Sequence, residues 1–458
     1  MDYAKNLPLE IKIKILAYLP YKDVMFITNH YFWQCFWDNN RHTKGKFQLN
    51  QEQEYVLEVI KSGKNIFINA PAGTGKSTVI KYFYQTTKNI NIGLTSTTGI
   101  SALNIGGVTL HSFLGIGLGF GDVNCLYRKI SNNTSKYNIW KSLDMLIIDE
   151  ISMLSPALFD KLENVARKIR GNDHTFGGIQ LIVLGDLFQL PCIGSSCLIV
   201  DSLIFKKCFH TTIELRNIIR QDDRLFKNVL NKIRVGNVDT QVKNILTSRI
   251  FKFNKQDQIQ PTKLFCIKKE VCALNEKELD KLSISGRVFN EYDMKFSNPN
   301  NKYCCENFIK NSTTPENLQI CIGAQVMLTV NISRHLANGS RGVVVGFDEL
   351  QYPIVKFYFG ERIITPHIFD IFSPNLQGKM IKVGSATQIP LKIAYALTIH
   401  SCQGSTLDCV EVDLKEAFEY GQAYTALSRV RRLDGLYLKK FDFNVIKPHP
   451  SAVRHQFL

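Results

Sequence analysis

A lysine followed by a serine, both placed at the end of a turn of small residues, are the first groups that could do chemistry. The stretch from Asn65 to Thr78 reads NIFINAPAGTGKST. Its apolar run Ile66 to Ile68 is long enough for a buried strand. The turn Ala70-Pro71-Ala72-Gly73-Thr74-Gly75 follows, and Lys76, Ser77 and Thr78 open a segment of helical character. Strand, small-residue turn and helix form the setting of a phosphate-binding loop. Glycines let backbone N–H groups turn toward an anion, and the helix N-terminus adds partial positive charge. Lys76 would then reach the β- and γ-phosphates of a nucleoside triphosphate, and the Ser77 hydroxyl would ligate Mg²⁺. The strict pattern begins with glycine, where this chain has Ala70. An ordinary glycine turn before a helix is the competing reading, and Gly75-Lys76-Ser77 in this setting argues against it.

Two further apolar runs end in groups that suit the same chemistry. Leu146-Ile147-Ile148 ends in Asp149-Glu150. Asp149 would take Mg²⁺, through water, because Mg²⁺ keeps part of its hydration shell. Glu150 would orient and deprotonate the attacking water. Leu181-Ile182-Val183-Leu184 ends in Gly185-Asp186-Leu187-Phe188-Gln189. Gln189 both donates and accepts, so it could touch a γ-phosphate and a water; a surface-loop amide is the alternative. Upstream, Gln53 in LNQEQ could hydrogen-bond an adenine edge.

These residues need a scaffold that brings several strand ends to one edge. Residues 47 to about 200 alternate apolar strands with helical stretches, the pattern of a doubly wound α/β domain. Candidate strands are 65–69, 92–95, 145–148 and 181–184, and their carboxyl ends would line the ligand crevice. With 458 residues more than one domain is expected. Lys and Arg outnumber Asp and Glu by 56 to 40, a formal charge of +16. That balance favours polyanions or anionic surfaces, with a merely solubilising surface as the alternative. The twelve cysteines show no paired zinc spacing, so reduced thiols in an intracellular protein are expected. No apolar run is long enough to span a bilayer. The N-terminus is interrupted by Lys5, Glu10, Lys12 and Lys14, unlike a secretory signal. Residues 291–317, with SNPNNKY and NSTTPEN, read as loop.

The ordered segments LNQEQ, APAGTGKST, TSTTGISALNIGGVTLHSFLGIG, IIDEISM, GGIQLIVLGDLFQLP, IIRQDDRLF, IGAQVMLTVNISRHLANGSRGVVVGF, IPLKIAYALTIHSCQGSTLD and GQAYTALSRVR resemble a superfamily-one helicase of the PIF (petite integration frequency) type. The resemblance implies two RecA-like P-loop domains that clasp ATP and Mg²⁺. It implies a nucleotide pocket of Gln53, Ala70 to Thr78 and Gly404, with Lys76, Asp149, Glu150 and Gln189 in the roles above. Arg220 and Arg429 would be the two γ-phosphate arginines. DNA would run over Thr97, Thr98, Gly99, His111 and Phe113 in the first domain, where the His111 and Phe113 rings would offer base contacts or stacking and a glycine-rich loop with a core Phe is the alternative, and over Thr398, His400 and Gln403 in the second. Family members usually carry Lys-Ser after the histidine, where this chain has Ser401-Cys402; Cys192 stands where a second proline is common.

The expected division is a first RecA-like domain at 46–204, a second at 205–338 with 385–458, and a small β-barrel insertion at 339–384. Residues 1–45 are expected to form a helical segment and linker. LPLEIKIKILAYLPYKDV with Trp33 resembles an F-box, which implies docking of residues 1–40 on the linker subunit of a cullin ubiquitin ligase; a plain packing appendage is the alternative. The expected activity is ATP-dependent unwinding of duplex or structured DNA with 5′-to-3′ movement. Single-stranded and forked DNA are the expected partners, and a monomer away from membranes the expected state. A DNA-directed ligase adaptor is the alternative function. A nuclear setting is expected first, with mitochondrial and cytoplasmic viral replication sites left open.

Overall fold

The computed structural model describes residues 49–456 except 193, 222, 251–259, 331, 333–335, 337, 358–359, 376–379 and 440–441. The helical segment expected at 1–45, with its F-box-like reading, lies outside the described residues. The chain divides into the compact units Met1–Gln51 and Glu52–Leu458.

In the larger unit the first six strands are β1 (Ile66–Asn69), β2 (Ile92–Ser96), β3 (Val108–Thr109), β4 (Met145–Asp149), β5 (Gln180–Gly185) and β6 (Thr211–Glu214). They form one sheet in the order β3-β2-β4-β5-β1-β6, and every pairing is parallel. β1, β2 and β4 are buried at every position. A parallel sheet covered on both faces demands such unbroken apolar runs, which is why the four inner strands were visible in the sequence. The sheet extends past the expected boundary at 204, because Thr211 of β6 pairs with Ile66 of β1. Its covering core is aromatic: Trp140, Phe113, Phe159 and Phe176 are fully buried. The Trp140 indole N–H donates to the Leu114 carbonyl at 3.0 Å.

The chain then lays down β7 (Thr262–Phe265), β8 (Asn290–Asp293), β9 (Lys295–Phe296), the helix Lys302–Asn311 and β10 (Asn317–Ile320). The loop reading of 291–317 is therefore corrected. β10 pairs with β8, and the helix buries Cys305 and Phe308 while Asn301 caps its N-terminus. Asparagines that cap helices also favour turns, so the polar run hid a structured segment.

β11 (Gln325–Leu328), β12 (Arg341–Phe347), β13 (Pro353–Phe357), β14 (Gly360–Ile363), β15 (His367–Pro374), β16 (Met380–Gln388) and β17 (Leu391–Ile393) complete two antiparallel sheets. Their orders are β14-β13-β12-β11-β17 and β15-β16-β9. The insertion expected at 339–384 thus recruits β11 and β9 before that span and β17 after it. Last come β18 (Ala396–Thr398), β19 (Val410–Val412) and β20 (Leu436–Leu438). With β7 they form a second parallel sheet, β18-β7-β19-β20.

Candidate nucleotide cleft and nucleic-acid track

The loop after β1 is shaped by two glycines, Gly73 and Gly75, each with φ +83°, where a side chain would be strained. Ala70 has no such φ among the described residues, so its methyl replaces glycine without backbone strain. Lys76, the first residue of the helix Lys76–Thr86, is 8% exposed. Its ammonium donates to the Ala70 carbonyl at 2.8 Å and the Pro71 carbonyl at 3.1 Å. Burial draws its pKa down, and the carboxylates of Glu150, Asp186 and Asp149 oppose that shift. Gln53 donates from Nε2 to the Thr74 carbonyl at 3.2 Å, and the Thr78 N–H donates to the Gly75 carbonyl at 3.0 Å.

Asp149 ends β4 beside this loop. Its Oδ2 accepts from Ser77 Oγ at 3.2 Å and from Ser101 Oγ at 2.8 Å, and its Oδ1 accepts from the Glu150 N–H at 2.9 Å. Ser77 and Asp149 therefore present neighbouring hard oxygen donors, the ligand chemistry Mg²⁺ takes. Glu150 has φ +54°, an uncommon conformation for a side-chain-bearing residue and one that clusters at functional sites. Burial and the adjacent Asp149 push its carboxyl pKa up, against the pull of Lys76, Arg429 and Gln403. The Gln403 amide donates to Glu150 Oε2 at 3.2 Å.

The opposite wall comes from elements next to the second sheet. Arg429, 1% exposed, follows the helix Gln422–Leu427. It donates to the Thr425 carbonyl at 3.1 Å, to Gln189 Oε1 at 3.2 Å and to Ser428 Oγ at 3.0 Å. The Arg220 N–H donates to the Gly73 carbonyl at 3.0 Å, and its guanidinium donates to the Ser428 carbonyl at 3.3 Å. Burial and neighbouring Arg429 lower the pKa of Arg220. One cleft thus gathers a lysine, two carboxylates, a glutamine and two arginines around a glycine-turned loop, the parts that phosphoryl transfer uses.

A family model described as PIF1-like helicase matches residues 48–244. Uncharacterized protein 030L of Invertebrate iridescent virus 6 is 42% identical, covering 89% of this chain and 94% of its own length. The ATP-dependent DNA helicase PIF1 of Xenopus laevis is 38% identical over 89% of this chain, which spans 64% of that relative's length. The crystal structure of Pif1 helicase from Candida albicans superposes with a TM-score of 0.69 at 32% identity, covering 89% of this chain and 99% of that one. The chain belongs to the PIF1-like helicase family.

Within this PIF1-like chain the expected nucleic-acid residues divide. The Thr97 hydroxyl donates to the Glu150 carbonyl at 2.7 Å, and Thr98 caps the helix Gly99–Ile105 by accepting from the Ser101 N–H. Gly99 lies under the end of the helix Lys302–Asn311: a Cβ there would fall 2.5 Å from Asn311 Oδ1. His111 is half-buried, and burial lowers its pKa. Phe113 corrects the stacking expectation. It is fully buried, and a Cβ on Gly93 would meet its ring at 2.6 Å, so it is a core side chain without a face for a base. Gln403 is 4% exposed and turned to Glu150, inside the cleft instead of on an open track. Gly404 follows it with φ +83°. Thr398 accepts from the Ser401 N–H at 3.1 Å, and His400 Nε2 lies 3.2 Å from Glu419 Oε2.

Several residues of the cleft escaped the sequence reading. Asp186, fully buried, accepts from Arg234 Nε at 3.0 Å, Tyr424 Oη at 3.0 Å and Gln189 Nε2 at 3.3 Å. Burial opposes its charge, but Arg234 and Lys76 prevail and hold its pKa below the ordinary value. Tyr424 Oη also accepts from the Ala72 N–H at 3.3 Å. Gln221 donates to the Ser428 and Val430 carbonyls. The acidic residue at the end of β5 was a signal; nothing local marked Arg234, on the helix Arg224–Arg234, as its partner.

Proposed function

We propose that the chain is an ATP-dependent DNA helicase built on two RecA-like domains, with the antiparallel sheets between them as an inserted module. It translocates 5′ to 3′ on single-stranded DNA and opens duplex or forked DNA. The observation that carries this reading is the Arg429–Gln189 hydrogen bond of 3.2 Å, which joins the helix beside the second sheet to the strand end beside the phosphate loop.

Lys76 exchanges its bonds to the Ala70 and Pro71 carbonyls for phosphate oxygens. Ser77 and Asp149 would hold Mg²⁺, which when bound would neutralise charge on the phosphates. Glu150 accepts a proton from the attacking water, and its raised pKa makes it a stronger base than an ordinary carboxylate. Arg220 and Arg429 stabilise negative charge on the transferring phosphoryl group. Both walls grip the γ-phosphate, so its loss removes a contact that differs between a closed and an open cleft. Such differential contact is what a two-state motor requires.

Strand displacement on tailed duplexes tests the reading. Release of the strand from substrates with a 5′ overhang, absent from those with a 3′ overhang and absent in Lys76→Ala, is expected. Undiminished DNA-stimulated phosphate release by Lys76→Ala would overturn it.

A further inference from the structure

We propose that Lys392 binds a phosphate of the DNA backbone in a groove of the second half of the molecule, a site separate from the nucleotide cleft. The proposal rests on the DNA-binding reading above.

The groove, of about 380 Å³, is lined by Lys392 and Ile393 of β17, by Leu279, and by the segment 312–319 that leads into β10. Two of its polar groups stand unused. Among the described residues neither the Lys392 ammonium nor the Thr313 hydroxyl makes a hydrogen bond or ion pair. Glu316 also lines the groove, but its side chain is exposed and makes no ion pair with Lys392. Lys392 is only partly exposed, and burial lowers its pKa. A partly buried ammonium without a counter-charge is unfavourable in the isolated chain. A phosphate would supply the charge, and a hydroxyl beside it is a common second donor.

The place of the groove identifies the phosphate as part of a strand. Asn311, directly before the groove-lining Ser312 and Thr313, presses on Gly99 at the head of the first domain's expected track. At the other end β17, which carries Lys392, runs within a few residues into β18 and the turn His400–Cys402. Cys402 sits in the turn His400–Cys402 after β18. On the expected track, a strand running from Gly99 toward Thr398 and His400 would pass Thr313 and Lys392. The turn itself offers no lysine, since Ser401 and Cys402 follow His400. Lys392 supplies the cation from the neighbouring strand.

The test is single-stranded DNA binding by the full chain, measured by anisotropy over a series of salt concentrations, for the parent, Lys392→Met and Thr313→Glu. One lost phosphate contact lowers the slope of log K against log salt by about 0.7 on single strands. It weakens binding roughly tenfold, and equally for all sequences. Lys392→Met should show both changes while melting no lower than the parent, because an unpaired, partly buried charge is removed. Thr313→Glu should weaken binding by placing a carboxylate beside the ammonium. Parental affinity and slope in Lys392→Met would overturn the proposal. If that variant is unstable, parental binding by Thr313→Glu would overturn it instead. A parent that binds no single-stranded DNA in a salt-dependent way would defeat the helicase reading as well, which separates the two failures.

Discussion

The nucleotide cleft and the groove beside Lys392 use the same kinds of side chain in opposite ways. In the cleft each cationic tip is already engaged: Lys76 on two carbonyls, Arg429 on Gln189 and Ser428, Arg220 on the Ser428 carbonyl. In the groove the ammonium and the hydroxyl make no hydrogen bond or ion pair among the described residues. A ligand entering the cleft must trade places with existing bonds, so binding there rearranges the protein and can be read as a change of state. A ligand entering the groove displaces little beyond water and counterions, so binding there is governed by salt. Switching and holding are thus assigned to different regions of one molecule. Cleft substitutions should change turnover and leave the salt slope of DNA binding intact, and groove substitutions should do the reverse.

The largest effect is expected at Arg429. Arg429→Ala removes the buried guanidinium that the proposed mechanism sets against the transferring phosphoryl group and should lower DNA-stimulated ATP turnover roughly 10³- to 10⁵-fold. The salt slope of single-stranded DNA binding should stay at the parental value; a change there would dissolve the division between the two regions. Next is Arg234, 8% exposed, whose partner Asp186 is fully buried. Arg234→Met strands that carboxylate without its main counter-charge and should destabilise the fold by about 3–5 kcal/mol, read by chemical denaturation. The same substitution lets Asp186 release its hold on Tyr424 and Gln189, so surviving protein should also turn over slowly. A stable, fully active variant would remove Asp186 from the cleft's support. Phe113→Ala comes third. A core phenylalanine with no exposed surface should lose about 3 kcal/mol of stability, while a base-stacking residue would lose DNA affinity at constant stability.

The contrast between regions also explains what the sequence made legible. Strands of the first parallel sheet are buried on both faces, so their apolar runs stand out, and the candidate residues Lys76, Asp149 and Gln189 lie at their ends or a short turn beyond. Local order is enough to find such residues. Arg220 and Arg429 approach the loop from sequence positions far from it, and only the resemblance named them; the fold brings Arg220 to Gly73 and Arg429 to Gln189. Arg234 lay outside every matched segment, and Lys392 lay inside IPLKIAYALTIHSCQGSTLD with no role assigned to it; the meaning of each is a distance to something remote. Phe113 misled for the converse reason. An aromatic ring beside a histidine in a glycine-rich stretch has the composition of a stacking platform, and only the close approach of Gly93 shows that the ring is spent on packing. The Asn-rich run before residue 302 was misread because a capping asparagine and a loop asparagine are the same residue until the buried face of the helix is counted.

The smallest predicted effect is also the most discriminating for the cleft, because it concerns a residue first expected on the DNA track. Gln403 donates to Glu150 Oε2, and this bond favours the ionised carboxylate against the burial that raises its pKa. In the proposed mechanism Glu150 accepts a proton and so must be deprotonated, and activity should fall as pH drops through its pKa. Gln403→Leu deletes the bond and should raise that pKa further. The acid limb of the kcat–pH profile then moves to higher pH, because the lost hydrogen bond favoured the charged form. At high pH, where Glu150 is ionised in both proteins, kcat should converge. If Gln403 instead served DNA directly, the acid limb would stay in place while single-stranded DNA affinity fell. A shifted limb at unchanged affinity would tie the turn after β18 to the chemistry of Glu150, and so give the second parallel sheet a direct hand in catalysis.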